Sequence, residues 1–346
     1  MNNRLFPWVL RLGALLLLAS CAAPRGPVDF VDPAIEQVWP ASPAEPRIKL
    51  LRQISGAADL RDKNSRGHRL MRWLTGGSDE QLPLVAPYGI ATDGQGTLWI
   101  TDPGLRGVQV LDLARRKASL WTMAGKRSYA NPAGICFDPV RQRIYVADSL
   151  DLRVIALALD GRLLFELQPE RPWGRPGGLG LDPQGNLLVA DVLLGQIRRF
   201  TPEGTELSAF GSPTTPDGLF NRPLAVATDK TGQIYVIDSL NFQIEILSAT
   251  GEAVAVIGQL GDAPGSFSRP RGLALDQHGQ IYVADAAFDN VQIFDQQGQL
   301  LAFFGGGGKH GLSLPAGMTI DDQNRIYVVD SFNHRIQIYQ LVEVQK

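Results

Sequence analysis

Residues 316–341 read AGMTIDDQNRIYVVDSFNHRIQIYQL, and this stretch decides the fold. It contains three short apolar runs, at residues 318–320, 326–329 and 336–339, in which apolar side chains alternate with period two. The polar clusters between the runs are rich in Asp, Asn and Ser, residues that favour turns. This pattern is typical of successive antiparallel strands with one or both faces buried.

Five earlier stretches repeat the pattern more loosely. Each copy has a strand that ends in an aspartate, and these aspartates are 43 to 47 residues apart: Asp102, Asp148, Asp191, Asp238, Asp285 and Asp330. A second aspartate ends the preceding strand: Asp93, Asp138, Asp182, Asp229, Asp276 or Asp321. Five copies carry Pro-x-Gly before that strand, whereas the fourth has Pro223-Leu224-Ala225. Four strands in roughly 45 residues, six times over, predict an all-β six-bladed β-propeller with four-stranded antiparallel blades.

The core of the last copy, Asn333-His334-Arg335-Ile336, resembles the signature of NHL repeats. The resemblance to NHL-repeat six-bladed propellers covers residues 85–346. It implies that the loops entering the first strand of each blade share one face, around the channel mouth, with the loops joining strands two and three. The same ring hosts binding proteins and enzymes, so the fold alone does not decide the function.

The ring needs a closing strand, because the last copy ends after its third strand. Residues 47–54 form a lone strand-like run before the first blade, and we expect them to pair as the outer strand of blade six. Within the lead-in 47–84, residues 65–74 fit a short amphipathic helix, and a rival alignment matches 70–74 to a fourth strand. The propeller itself is expected at residues 85–346.

The amino terminus predicts export and lipid anchoring. Arg4 and Arg11 precede a short apolar run at residues 12–19, which ends in the motif Leu18-Ala19-Ser20-Cys21. This motif resembles a bacterial lipobox, with residues 1–20 as signal peptide and acyl chains such as palmitate on Cys21. A plain signal peptide cut near residues 22–23 is the alternative. The Pro-rich stretch 21–46 fits a stiff tether. The resemblance implies a membrane-anchored lipoprotein of the cell envelope, in the outer membrane facing the periplasm if the host is Gram-negative.

Composition argues against a nucleic-acid partner, because the net charge of −2 offers no basic footprint for phosphates. With Cys21 modified, Cys136 has no disulfide partner, and its apolar surroundings predict a small buried hydrophobic side chain. The twelve repeated aspartates are predicted to be structural, because a catalytic group is needed once and not in every blade. We expect them to accept backbone N–H groups in turns.

The candidate partner-binding face comprises the middle residues of Pro-x-Gly and the residues after the strand-ending aspartates. Its members are Tyr88, Arg106, Leu194, Phe242, Arg271, Phe288, Phe332 and His334. Apolar residues at such loop positions have two interpretations. They pack between blades, or they form an apolar patch that suits a peptide or protein partner.

Two hypotheses on function follow. The first is a non-catalytic scaffold that binds a protein or peptide and needs no cofactor. The second, suggested by enzymes in related propellers, is a lyase or lactonase assisted by a calcium or zinc ion in the channel. The four histidines (His68, His278, His310 and His334) fall in different loop sets, and only His310 and His334 are expected to approach each other. Residues 305–310, GGGGKH, lack the spacing of a phosphate-binding loop.

Overall fold

The computed structural model describes residues 27–41, 45, 47–60, 82–212 and 218–342. Before the first blade, β1 (Val38–Trp39) and β2 (Ile48–Ile54) pair with each other, and a 3₁₀ turn follows at Ala57–Leu60. The remaining strands form six antiparallel sheets in chain order, together with one small hairpin. The prediction of an all-β six-bladed propeller is confirmed.

Blades 1 to 3 follow directly along the chain. Blade 1 contains β3 (Gly89–Thr92), β4 (Thr97–Asp102), β5 (Gly107–Asp112) and β6 (Lys117–Trp121). The hairpin of β7 (Met123–Ala124) and β8 (Arg127–Ser128) leads to blade 2, with β9 (Pro132–Asp138), β10 (Arg143–Asp148), β11 (Arg153–Ala158) and β12 (Leu163–Glu166). Blade 3 contains β13 (Pro176–Leu181), β14 (Leu187–Asp191), β15 (Gln196–Phe200) and β16 (Glu206–Phe210).

Blades 4 to 6 complete the ring. Blade 4 contains β17 (Pro223–Thr228), β18 (Ile234–Asp238), a 3₁₀ turn (Ser239–Asn241), β19 (Gln243–Leu247) and β20 (Ala253–Ile257). Blade 5 contains β21 (Pro270–Leu275), β22 (Ile281–Asp285), β23 (Asn290–Phe294) and β24 (Leu300–Phe304). Blade 6 contains β25 (Pro315–Ile320), β26 (Arg325–Asp330) and β27 (Arg335–Leu341), and β2 is its fourth strand.

The closing strand is where the sequence predicted it. Strand β2 pairs antiparallel with β27, from Ile48 opposite Leu341 to Ile54 opposite Ile336. Strand β1 adds a fifth strand outside β2, and Trp39 packs edge-on against Tyr339. The chain therefore closes the ring by joining its two ends in one sheet.

The core consists of six apolar clusters, each formed by the facing sides of two neighbouring blades. The closing strand contributes to two of them, with Leu50 between blades 5 and 6 and Ile54 between blades 6 and 1. Stability therefore depends on contacts all round the ring, because no blade encloses a core of its own.

The glycine of Pro-x-Gly has a packing role at the inner edge of the blades. A Cβ on Gly89 would lie 2.5 Å from the carbonyl oxygen of Ala133 in the next blade, and one on Gly317 would lie 2.6 Å from that of Tyr88. Gly134, Gly178 and Gly272 meet the next blade in the same way. Close approach of neighbouring backbones therefore requires glycine at these positions.

The repeated aspartates are structural, as predicted. Those ending the first strands accept N–H groups of the turn that follows, as Asp229 does from Thr231 and Gln233. Those ending the second strands mostly accept N–H groups from the loop that enters their own blade, as Asp148 does from Ala130 and Asn131. The second set thus joins the two loops of the channel-mouth face, rather than capping only the following turn.

Several sequence predictions lie outside the described residues: the signal segment with Cys21, parts of the tether (21–26, 42–44 and 46), and the helix or strand at 65–74. The described part of the predicted tether, residues 27–41, packs on the propeller, because Val28 and Ile35 are buried in core clusters. The prediction of a free tether is therefore wrong for this part. Within the described ranges, no helix has both the length and the apolar character needed to cross a membrane. Cys136 is half-buried rather than fully buried. Burial raises the pKa of its thiol to about 12, which keeps it protonated and unreactive.

Candidate ligand-binding face

A cavity of about 640 Å³ opens at the channel mouth, on the face that carries the two predicted loop sets. The middle residues of Pro-x-Gly line it in five blades: Tyr88, Ala133, Gly177, Leu224 and Arg271. In blade 6 the equivalent residue, Ala316, is buried and packs in the core. We call this cavity the funnel.

Beneath the funnel, the channel narrows to a ring of six apolar side chains, one from each blade. They are Ile90, Ile135, Leu179, Val226, Leu273 and Met318. Beyond this ring a second cavity of about 330 Å³ opens toward the opposite face, where Asp93, Asp321 and Asp322 line it. The funnel thus has an apolar floor, and the two ends of the channel differ in charge.

Four arginines line the funnel: Arg175, Arg222, Arg269 and Arg271. No Asp or Glu belongs to the described residues that line it. Burial lowers the pKa of the half-buried Arg271, and the neighbouring charge of Arg269 acts in the same direction. These cations therefore lie in a concave site without an acidic neighbour in its wall.

The arginines are a feature that sequence reasoning missed, apart from Arg271. Arg175, Arg222 and Arg269 each precede the proline that begins the first strand of a blade, in three consecutive blades. The same position holds Ala86 and Asn131 in blades 1 and 2. An alignment of the copies on their prolines would have shown a basic sector in blades 3 to 5.

Around the funnel, four large apolar side chains are exposed at one position of the repeat, two residues after the strand-ending aspartate. Their exposed fractions are 65% for Leu150, 54% for Leu193, 51% for Leu240 and 66% for Phe332. We call these four residues the apolar crown. At this position the four side chains are exposed and do not pack between blades.

The eight residues predicted for the partner-binding face are divided between the funnel and its surroundings. Only Tyr88 and Arg271 line the funnel. Phe332 belongs to the crown, and Phe288 is half-buried in the corresponding loop of blade 5. Leu194 lines a separate depression with Arg198 and Glu206.

Three of the eight have a role in the turn. Arg106 (φ 49°), Phe242 (φ 57°) and His334 (φ 53°) all lie four residues after the strand-ending aspartate, in the left-handed region. Gly195 (φ 64°) has the same place in blade 3. Phe242 also packs against the cluster between blades 4 and 5, so it is not part of the exposed crown.

The three described histidines, His278, His310 and His334, have separate partners. His310 Nδ1 lies 3.2 Å from Oε1 of Gln53 in the closing strand, whereas His334 Nδ1 contacts the carbonyl oxygen of Val85 in front of blade 1. Burial, Lys309 and Arg335 lower the pKa of His310. His278 lines a pocket on the opposite face. Among the residues that the structure describes, no three His, Cys, Asp or Glu side chains are grouped as metal ligands.

Comparison with known families agrees with the repeat geometry. The model of the SMP-30/Gluconolactonase/LRE-like region matches residues 62–217, and the NHL repeat model matches residues 267–294 and 312–339. The chain is an NHL-repeat six-bladed β-propeller.

Solved structures similar to this NHL-repeat propeller share its fold at low identity. A catalytically inactive virginiamycin B lyase from Staphylococcus aureus with quinupristin has 15% identity and a TM-score of 0.56, over 74% of this chain and 80% of that one. A Bacteroides thetaiotaomicron protein of unknown function has 15% identity and a TM-score of 0.61, over 86% and 76%. An auxiliary nutrient binding protein from the same species has 14% identity and a TM-score of 0.58, over 75% and 69%.

Proposed function

We propose that this propeller is a membrane-anchored lipoprotein of the cell envelope that binds a peptide or protein partner without transforming it. The apolar crown around the funnel is the observation that carries the proposal. Four large apolar side chains at one repeat position are exposed on the loop face. Large exposed apolar patches on soluble domains usually mark interaction sites.

The architecture suits a binding role. Buried aspartates accept backbone N–H groups from both loop sets, as Asp285 does from Ser268 and Ala287. The crown and the funnel wall are therefore held on a rigid frame. A preorganised surface loses little conformational entropy when a partner binds. Apolar side chains with a polar rim around them are also the usual composition of a protein interface.

The anchor completes the proposal. Cleavage before Cys21 and acylation of its thiol would fix the chain to a membrane. Because Val28 and Ile35 are buried in the core clusters, residues 27–41 belong to the folded body that this anchor would hold. With Ala22 after the lipidated cysteine, we expect an outer-membrane location facing the periplasm in a Gram-negative host. The partner is then another component of the envelope.

Site-specific photo-crosslinking in cells tests the binding face. A photo-reactive amino acid is placed at Leu240 or Phe332, and a matched control is placed at Val140, which is 81% exposed in a turn on the opposite face. We expect the same discrete adduct from both crown positions and none from Val140. Identical adduct patterns from all three positions, or none from the crown, would overturn the proposal.

Metal analysis separates the proposal from the lyase or lactonase hypothesis. A metal-assisted enzyme would hold one zinc or calcium ion per chain through purification. We expect the purified protein to contain less than about 0.1 equivalent of either metal after gel filtration in metal-free buffer, since tight catalytic sites retain their ion. A full equivalent, bound together with turnover of a lactone, would contradict the binding role.

A further inference from the structure

We propose that the funnel binds a carboxylate group of an acidic peptide segment, held by Arg175, Arg222, Arg269 and Arg271. This inference rests on the proposed function, since it assigns a chemistry to the partner that the loop face binds. It depends first on the charge and shape of the funnel, which Leu240 of the apolar crown also lines.

The basic groups are concentrated on one side of the funnel. Blades 3, 4 and 5 contribute the four arginines, whereas the wall from blades 1, 2 and 6 is neutral and contains Asn131, Ser149 and Ser331. An anion entering the funnel would therefore meet guanidinium groups on one side and neutral hydrogen-bonding groups on the other.

Among the described residues, no carboxylate forms an ion pair with these guanidinium groups. The strand-ending aspartates of blades 3 and 5, Asp191 and Asp285, are fully buried. They accept the backbone N–H groups of Arg175 and Arg269, respectively. The side chains of the two arginines are thus left for another anion.

Clustered cations in a concave site repel one another, and an anionic ligand relieves that repulsion. Burial is the largest cause of the lowered pKa of Arg271, and the charge of Arg269 adds to it. Arginine suits carboxylates in particular, because its planar guanidinium donates two parallel hydrogen bonds to the two oxygens.

The size of the site and its surroundings favour a peptide over a free ion. The funnel, at about 640 Å³, is far larger than one carboxylate needs. The crown residues Leu150, Leu193 and Leu240 belong to blades 2, 3 and 4, so two of them stand beside the arginine sector. A peptide with acidic and apolar residues side by side would use both features at once.

Calorimetric titration of the full-length protein in detergent tests the assignment. The probes are a capped hexapeptide of alternating Leu and Glu, the same peptide with Gln for Glu, and hexathymidylate as a phosphate-bearing polymer of the same length. We expect the Glu peptide to bind at least about tenfold more tightly than the Gln peptide, a difference of about 1.4 kcal/mol. Raising the salt concentration should weaken the binding of the Glu peptide but not that of the uncharged Gln peptide.

Variants localise the effect to the funnel. We expect Arg271→Gln and Arg222→Gln each to weaken binding of the Glu peptide about tenfold, since each removes a charge-assisted hydrogen bond. Arg271→Lys should retain more affinity than Arg271→Gln. The control is Arg162→Gln, an exposed arginine in the turn before β12 and outside the funnel, and it should stay within about twofold.

Three outcomes would overturn the inference: equal affinity for the Glu and Gln peptides, tighter binding of hexathymidylate, or equal losses in the Arg271→Gln and Arg162→Gln variants. Failure here is distinguishable from failure of the proposed function. If crown crosslinks persist in Arg271→Gln cells while the Glu peptide does not bind, the binding face stands and the carboxylate assignment falls.

Discussion

Asp238 and Glu245 are two fully buried acidic residues in blade 4, on neighbouring strands of the same sheet. The position of Glu245 holds a glutamine in blades 1, 5 and 6, namely Gln109, Gln292 and Gln337. One carboxylate oxygen of Asp238 has no hydrogen-bond partner. Burial, reinforced by the charge of Glu245, raises the pKa of Asp238 to about 6.

This pair predicts a pH-dependent stability. Because the pKa of Asp238 in the folded protein lies above that of an unfolded aspartate, the folded state binds this proton more tightly. The stabilising contribution is complete below about pH 4, where both states are protonated. It is lost as the pH rises through about 6.

The substitution Glu245→Gln should remove part of this effect, because it restores the residue of the other blades and eliminates one charge. We expect the free energy of unfolding at pH 8 to rise by about 1 kcal/mol, with little change at pH 4. Urea unfolding at pH 4 and pH 8 measures the free energy of unfolding of each variant. Glu252→Gln, at an exposed site of the same blade, is the control, and an equal gain in both variants would refute the explanation.

The closing strand should carry a large share of the stability. Leu50 is fully buried between blades 5 and 6, so Leu50→Ala should lower the free energy of unfolding by about 2–4 kcal/mol. The neighbouring Lys49 points to the other side of the strand and is half-buried. Lys49→Ala should change stability by no more than about 0.5 kcal/mol. Similar values for the two variants would show that β2 does not close the ring.

The sequence predicted the ring because its signal is repeated six times. Period-two runs, turn aspartates and Pro-x-Gly all recur, and the closing strand follows from the missing fourth strand of the last copy. The funnel was only partly foreseen, since Arg175, Arg222 and Arg269 are 47 residues apart and meet only when the ring is closed.

Loop residues were harder to assign, because neighbours in one turn have different environments. Leu240 is exposed, whereas Phe242, two residues later, has a left-handed backbone and packs into the core between blades. Period-two alternation ends with the strand, so it cannot distinguish these two side chains. The direction of a side chain after Asp238 depends on backbone angles that the pattern of polar and apolar residues does not encode.

The lipid anchor is a prediction from the sequence, and one substitution tests it. Cys21→Ser removes the thiol that would receive the lipid, so the protein should move from the membrane pellet to the soluble fraction. Cys136→Ser is the matched control, because that thiol lies in blade 2 and should not affect fractionation. If the Cys21→Ser protein remains in the pellet after a carbonate wash, the anchor is not a lipid on this residue.

The glycines at the inner edge of the blades make a last prediction about the ring. A Cβ at Gly272 would collide with the carbonyl oxygen of Ala316 in blade 6. The colliding oxygen belongs to the backbone and cannot move aside as a flexible side chain would. Gly272→Ala should therefore lower the free energy of unfolding by about 1–3 kcal/mol. The fourth copy tolerates Ala225 at this position, where the side chain packs against the cluster between blades 4 and 5.

Gly306→Ala is the control for this substitution, because no atom lies within 4 Å of the added methyl group and the residue does not have a positive φ. Alanine there should leave stability unchanged or raise it slightly, by restricting the unfolded chain. The contrast distinguishes a collision between blades from a general cost of replacing glycine. Equal losses at Gly272 and Gly306 would mean that the inner contacts do not limit how closely the blades pack.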